Sequence, residues 1–176
     1  MRSFVVLLRG INVGGRNKVT MPDLRRAVEA LGYSNVRTYI QSGNLLLDHT
    51  CKKTTQIADD IQQALKTTFN IISTVWVISA DQLASIIDNN PFPEAITLPK
   101  TLHVYLPQNR ISDEAFTRAK ARAENGEAIV LFRHVLYLHA PGGISQSKLV
   151  QKLDALLDTQ TTGRNWKTIT QLADRL

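Results

Sequence analysis

Apolar positions recur along this chain at two spacings, one of strands and one of helices. The run Phe4-Val5-Val6-Leu7-Leu8 predicts a buried strand over Ser3–Arg9. After a glycine-bearing polar stretch, Leu24, Ala27, Val28 and Leu31 share one helical face. Thr20, with Asp23 three residues on, supplies a capping-box start, and Gly32 is placed to end the helix. Val36–Gln41 and Leu45–Asp48 read as strands joined by the turn Ser42-Gly43-Asn44. A second helix begins at Thr54 or Thr55 and turns Ile57, Ile61, Leu65 and Phe69 inward. Thr74–Ile78 closes the half as a strand.

The resulting order, β-α-β-β-α-β, is that of the split β-α-β, or ferredoxin-like, arrangement, with both helices on one face of an antiparallel sheet. The second half nearly repeats it. Ser79 and Gln82 begin a helix carrying Leu83, Ile86 and Ile87, stopped by Asn89-Asn90-Pro91. The loop Phe92–Lys100 leads to strand Thr101–Leu106 and to helix Asp113–Glu124, capped by Ser112 and closed by Asn125-Gly126. Strands Ala128–Phe132 and Val135–His139 and helix Ser147–Leu157 follow. In place of a last strand the pattern predicts a helix over Asn165–Leu176, with Trp166, Ile169, Leu172 and Ala173 at helical spacing. The expected fold is therefore α+β. It comprises two tandem ferredoxin-like subdomains, 1–80 and 81–176, the second lacking its last strand and ending in a helix.

Composition adds class and setting. The 176 residues, 43% hydrophobic and 20% charged, suit a globular chain that holds a core without metal or disulfide. Cys51, the single cysteine, has no internal partner, which points to a reducing cytoplasm. Phe4–Leu8 is too short for a signal-peptide core or a membrane span, and no later run is longer, so no membrane partner is expected. The net charge of +6 is uneven: residues 1–80 hold 10 Lys and Arg against 5 Asp and Glu, and residues 81–176 hold 11 against 10. That excess favours anionic partners, although a modest positive charge also serves solubility.

The chemistry concentrates where the first strand runs into LRGINVGG. In a split β-α-β sheet the exit of the first strand and the hairpin turn between the second and third strands share one sheet end. Arg9, Gly10, Asn12, Gly14 and Gly15 are thus expected to face Gln41, Ser42, Gly43 and Asn44. Arg9, with Arg16 or Lys18, would bring charge, the amides of Asn12 and Asn44 would orient a ligand, and the glycines would open backbone N–H groups. The same residues have a plainer use, with Gly10, Gly14 and Gly15 serving positive-φ turns and Asn44 the left-handed position of a hairpin.

Several familiar signatures fail. GINVGGRN, residues 10–17, misses the phosphate-loop pattern at its last two positions, and Asn17 lacks the hydroxyl that holds magnesium. Ser145-Gln-Ser-Lys148 matches S-x-x-K but has neither of the companion motifs that complete the penicillin-recognising site, and reads instead as a loop and N-cap. His49, His103, His134 and His139 lie on separate elements, and with Cys51 they show no zinc-ligand spacing, so no metal or cofactor is assigned. The strands lack the clustered aromatics of an RNA-binding sheet, and Trp166 reads as a core anchor.

At LLRGINVGG (7–15), TYIQSGN (38–44), NPF (90–92), PGG…SK (141–148) and RNW (164–166) the chain resembles the bacterial family called domain of unknown function 1697 (DUF1697). Gln146 and Lys167 stand where the family's motifs carry arginine and asparagine. The resemblance implies an α/β protein of two subdomains and supplies no reaction. It places Arg9, Asn12, Gly14, Gly15, Gln41, Ser42, Gly43 and Asn44, with Ser147, Lys148, Arg164 and Asn165, at motif positions. The function expected is binding of a small anionic ligand, a nucleotide or phosphorylated metabolite, at the polar loop pair. The alternatives are an enzyme of undefined class using Ser42 or Lys148, and a nucleic-acid-binding module acting through the basic first half.

Overall fold

Strands and helices alternate where the sequence switches between spacings. The structure, a computed structural model, describes residues 1–50 and 53–176, and Cys51 lies outside the described residues. The chain divides into two compact units, Met1–Ala84 together with Leu172–Leu176, and Ser85–Gln171.

In the first unit β1 (Arg2–Leu8), α1 (Met21–Glu29), β2 (Ser34–Tyr39), β3 (Asn44–His49), α2 (Thr54–Phe69) and β4 (Val75–Ser79) follow in that order. The strands form an antiparallel sheet in the order β2-β3-β1-β4. Alternation along the strands sends Phe4, Val6 and Leu8 of β1, and Leu45 and Leu47 of β3, to one face. There they pack with Leu24 and Val28 of α1 and Ile57, Ile61 and Leu65 of α2. Thr20 caps α1 by accepting from the Asp23 N–H. Asn70 ends α2 in the left-handed conformation, at φ +54°.

The chain continues from α3 (Ala80–Asp88), whose residues 85–88 open the second unit, through a 3-10 turn, Pro93–Thr97, into β5 (Leu102–Pro107), α4 (Asp113–Lys120), β6 (Ala128–Phe132) and β7 (Val135–His139). The remaining elements are α5 (Lys148–Gln151), α6 (Leu153–Leu157), β8 (Thr161–Asn165) and α7 (Trp166–Ala173). Ser79 and Gln82 cap α3 reciprocally, each side chain accepting from the other's backbone N–H. The sheet order is β6-β7-β5-β8, again antiparallel, over a core of Ile111, Ala115, Leu136, Leu138, Leu149, Leu153 and Leu157.

Here the structure corrects the sequence reading. The second unit does not lack its last strand: Thr161–Asn165 pairs along β5, and α7 starts only at Trp166. TTGRN carries no aliphatic residue to mark it as a strand. Its buried residues are Thr161 and Thr162, and Asp154 Oδ1 accepts from both the backbone N–H and the hydroxyl of Thr161. Gly163 looks like a loop signal but answers to sterics, since a Cβ there would stand 2.4 Å from Cε1 of Tyr105. The helix read over Ser147–Leu157 is interrupted at Lys152, at φ −117° and ψ 12°, while Leu149, Leu153 and Leu157 stay buried on either side.

Candidate functional site

β1 delivers its exit to a point held from two sides. Leu8 N–H donates to Gly43 O at 2.7 Å, Arg9 N–H donates to Thr74 O at 3.1 Å, and Ser73 Oγ donates to Arg9 O at 2.7 Å. The following loop folds on itself: Asn12 N–H reaches Asn17 O at 3.2 Å, Arg16 N–H reaches Val13 O at 3.0 Å, and Asn17 Nδ2 reaches Gly10 O at 3.0 Å. Buried Ile11 and Val19 pin the loop to the core. The β1–α1 loop and the β2–β3 turn therefore do meet at one sheet end.

Asn12 is the clamp between them. At φ +56° its Nδ2 donates to Val19 O at 2.9 Å and to Gln41 O at 3.0 Å, while its Oδ1 accepts from Val19 N–H at 2.9 Å. Beneath the clamp sits Gly43, at φ +72°, where a Cβ would stand 2.8 Å from Leu8 Cβ and 3.3 Å from Ile11 Cβ. Asn44 is wholly buried and donates to Tyr39 O at 3.1 Å and Ser42 Oγ at 2.9 Å. The left-handed residues of this turn are Ile40 and Gly43, not Asn44. The amides of Asn12 and Asn44, expected to orient a ligand, are thus spent on building the loop pair. Arg9, Ser42, Gly43 and Asn44 do not line the opening that the pair creates.

That opening is a cleft of about 540 Å³ in the first unit. Asn12, Gly15, Lys18 and Gln41 face it from the loops, and Thr20 and Asp23 from the start of α1. Among the described residues neither Arg16 nor Lys18, both exposed, forms an ion pair, and the N–H groups of Gly14 and Gly15 donate to no protein acceptor. Among the described residues the one carboxylate lining the cleft, Asp23, is already matched. The Thr20 hydroxyl, and then the Arg26 guanidinium paired with it, hold Asp23 below the usual carboxylate range. Lys18 thus lines the cleft with no carboxylate among the described residues paired to it, while Asp23 is paired with Arg26. Reading the sequence alone missed Val19, Met21, Pro22 and Phe69, which complete the lining. Phe69 gave a signal only as the last apolar position of α2.

The motif residues of the second unit are occupied locally. Ser147 Oγ accepts from Val150 N–H and caps α5, and Lys148 Nζ lies 3.2 Å from Glu124. Arg164 donates to Thr162 Oγ1 and Gly163 O, and burial pulls its pKa down to about 10. Asn165 Oδ1 accepts from Thr168 N–H at the start of α7. Among the described residues no group of three or more His, Cys, Asp or Glu side chains is placed to hold a metal ion, and no helix is long and apolar enough to cross a membrane.

The fold is similar to that of a conserved bacterial protein of Streptococcus pneumoniae, SP0830, with a TM-score of 0.77 and 20% sequence identity over 98% of this chain and 97% of that one. None of the curated proteins matches the chain. The model of the family described as "Protein of unknown function (DUF1697)" matches residues 1–137, and the chain belongs to that family.

Proposed function

We propose that this protein binds a small anionic ligand, a nucleotide or phosphorylated metabolite, in the cleft beside the β1–α1 loop. The observation that carries the reading is the charge arrangement of a cleft of about 540 Å³: Lys18 lines it without a protein carboxylate, while its own Asp23 is engaged by Thr20 and Arg26. The volume lies within the range of roughly 300–1,000 Å³ common for small-molecule sites. Gly14 and Gly15 offer backbone N–H groups of the kind that cradle oxyanions, and Arg16 adds charge from the same loop. An exposed lysine contributes about 1 kcal/mol or less, so affinity in the micromolar-to-millimolar range is expected. The antiparallel strand orders support a ferredoxin-like, split β-α-β reading of both halves. The single cysteine and the bacterial structural neighbour support a bacterial, cytoplasmic setting.

Calorimetry with inorganic phosphate, pyrophosphate and AMP tests this directly. The expected result is measurable binding of at least one of them, weakened about fivefold or more by Lys18→Glu and unchanged by Lys148→Ala. Failure of all three to bind, or equal affinity in Lys18→Glu, rules the reading out.

A further inference from the structure

The two sides of the cleft differ in chemistry. On the loop side are Gly15, Lys18 and the exposed Gln41. On the helix side are Met21, Pro22 and Phe69, with Met21 and Phe69 half-buried against the core of the first unit. Phe69 closes α2, and the left-handed Asn70 turns the backbone away immediately after it. The polar groups next to that apolar wall already have protein partners. Thr20 Oγ1 donates to Asp23 and accepts from its N–H, Asp23 pairs with Arg26, and Asn12 has engaged both amide hydrogens and its oxygen.

We infer, resting on the anion-binding reading above, that the ligand carries a flat, largely apolar ring behind a single anionic group. The anion sits at Lys18 and Gly15, and the ring lies against Met21, Pro22 and Phe69. A hydroxyl-rich sugar phosphate suits this wall poorly, because each hydroxyl pressed on it gives up water without gaining a partner. A ring loses little on leaving water and gains contact with an aromatic face and a polarizable thioether. Among the described residues Lys18 is the single cation lining the cleft, which matches one phosphate or carboxylate better than a triphosphate.

The test compares phenyl phosphate, AMP, glucose 6-phosphate and inorganic phosphate by calorimetry on the full chain. The two ring-bearing compounds are expected to bind about tenfold or more tightly than the other two, the gain typical of one base stacked on an aromatic side chain. Phe69→Leu, which retains an apolar packing group, should erase that advantage while leaving inorganic phosphate affinity unchanged. Met21→Ala should reduce it and guards against a folding defect in the first variant. Equal affinity for all four compounds, or a ring preference untouched by both substitutions, overturns the inference while leaving the anion site standing. No binding by any of them removes both.

Discussion

Replacing Asn12 should loosen the first unit more than its exposed loop position implies. The side chain makes three hydrogen bonds, two to Val19 and one to Gln41, from a left-handed backbone. At about 1 kcal/mol each, less some recovery by water at the exposed Gln41 bond, their loss comes to about 2–3 kcal/mol. Alanine adds about 1 kcal/mol for holding a Cβ-bearing, non-amide residue at φ +56°. Asn12→Ala should therefore cost about 3–4 kcal/mol, and Asn12→Gly, free of the backbone term, about 2–3 kcal/mol. Urea unfolding followed by Trp76 fluorescence in a Trp166→Phe background reads the first unit, since the chain has two tryptophans and each unit holds one. A loss below about 0.5 kcal/mol for Asn12→Ala, or a glycine variant less stable than the alanine one, would refute the clamp, since even one such bond is worth about 1 kcal/mol.

Gly43→Ala should destabilise the same unit by about 2–4 kcal/mol, combining positive φ with a Cβ pressed on Leu8 and Ile11, and a thermal melt unchanged within error would contradict that contact. His103 makes a prediction in the second unit, where burial lowers its pKa below 6.5 and the Thr101 backbone only partly opposes the shift. The unfolded chain then takes up a proton first as pH falls below about 6.5, so stability is lost toward acid, by at most about 1.4 kcal/mol per pH unit from this one group. His103→Gln should flatten that part of a pH–stability curve, and an unchanged slope would place the acid sensitivity elsewhere.

What was legible in the sequence is what local pattern encodes. β1, α1, the N-cap at Thr20 and the capping box at Ser79 follow from spacing and side-chain reach, and from them came the meeting of the two loops. β8 was hidden because an edge strand anchored by threonines and a glycine packed under Tyr105 carries no alternating apolar signal. The spent amides were hidden for a different reason. A side chain that can orient a ligand can equally bond a backbone brought near by folding, and Gln41, on the β2–β3 turn, comes near Asn12 only once the sheet forms. Phe69 looked like one more core residue on α2, and its partial exposure arises because the helix ends there.

Backbone amide shifts of the full chain, followed by NMR as phosphate or AMP is added, test the central proposal most directly. Saturable shifts are expected at Gly14, Gly15, Lys18 and Gln41, with Ser147 and Arg164 unmoved. Saturable shifts centred on the second unit, or none at any residue, would contradict it.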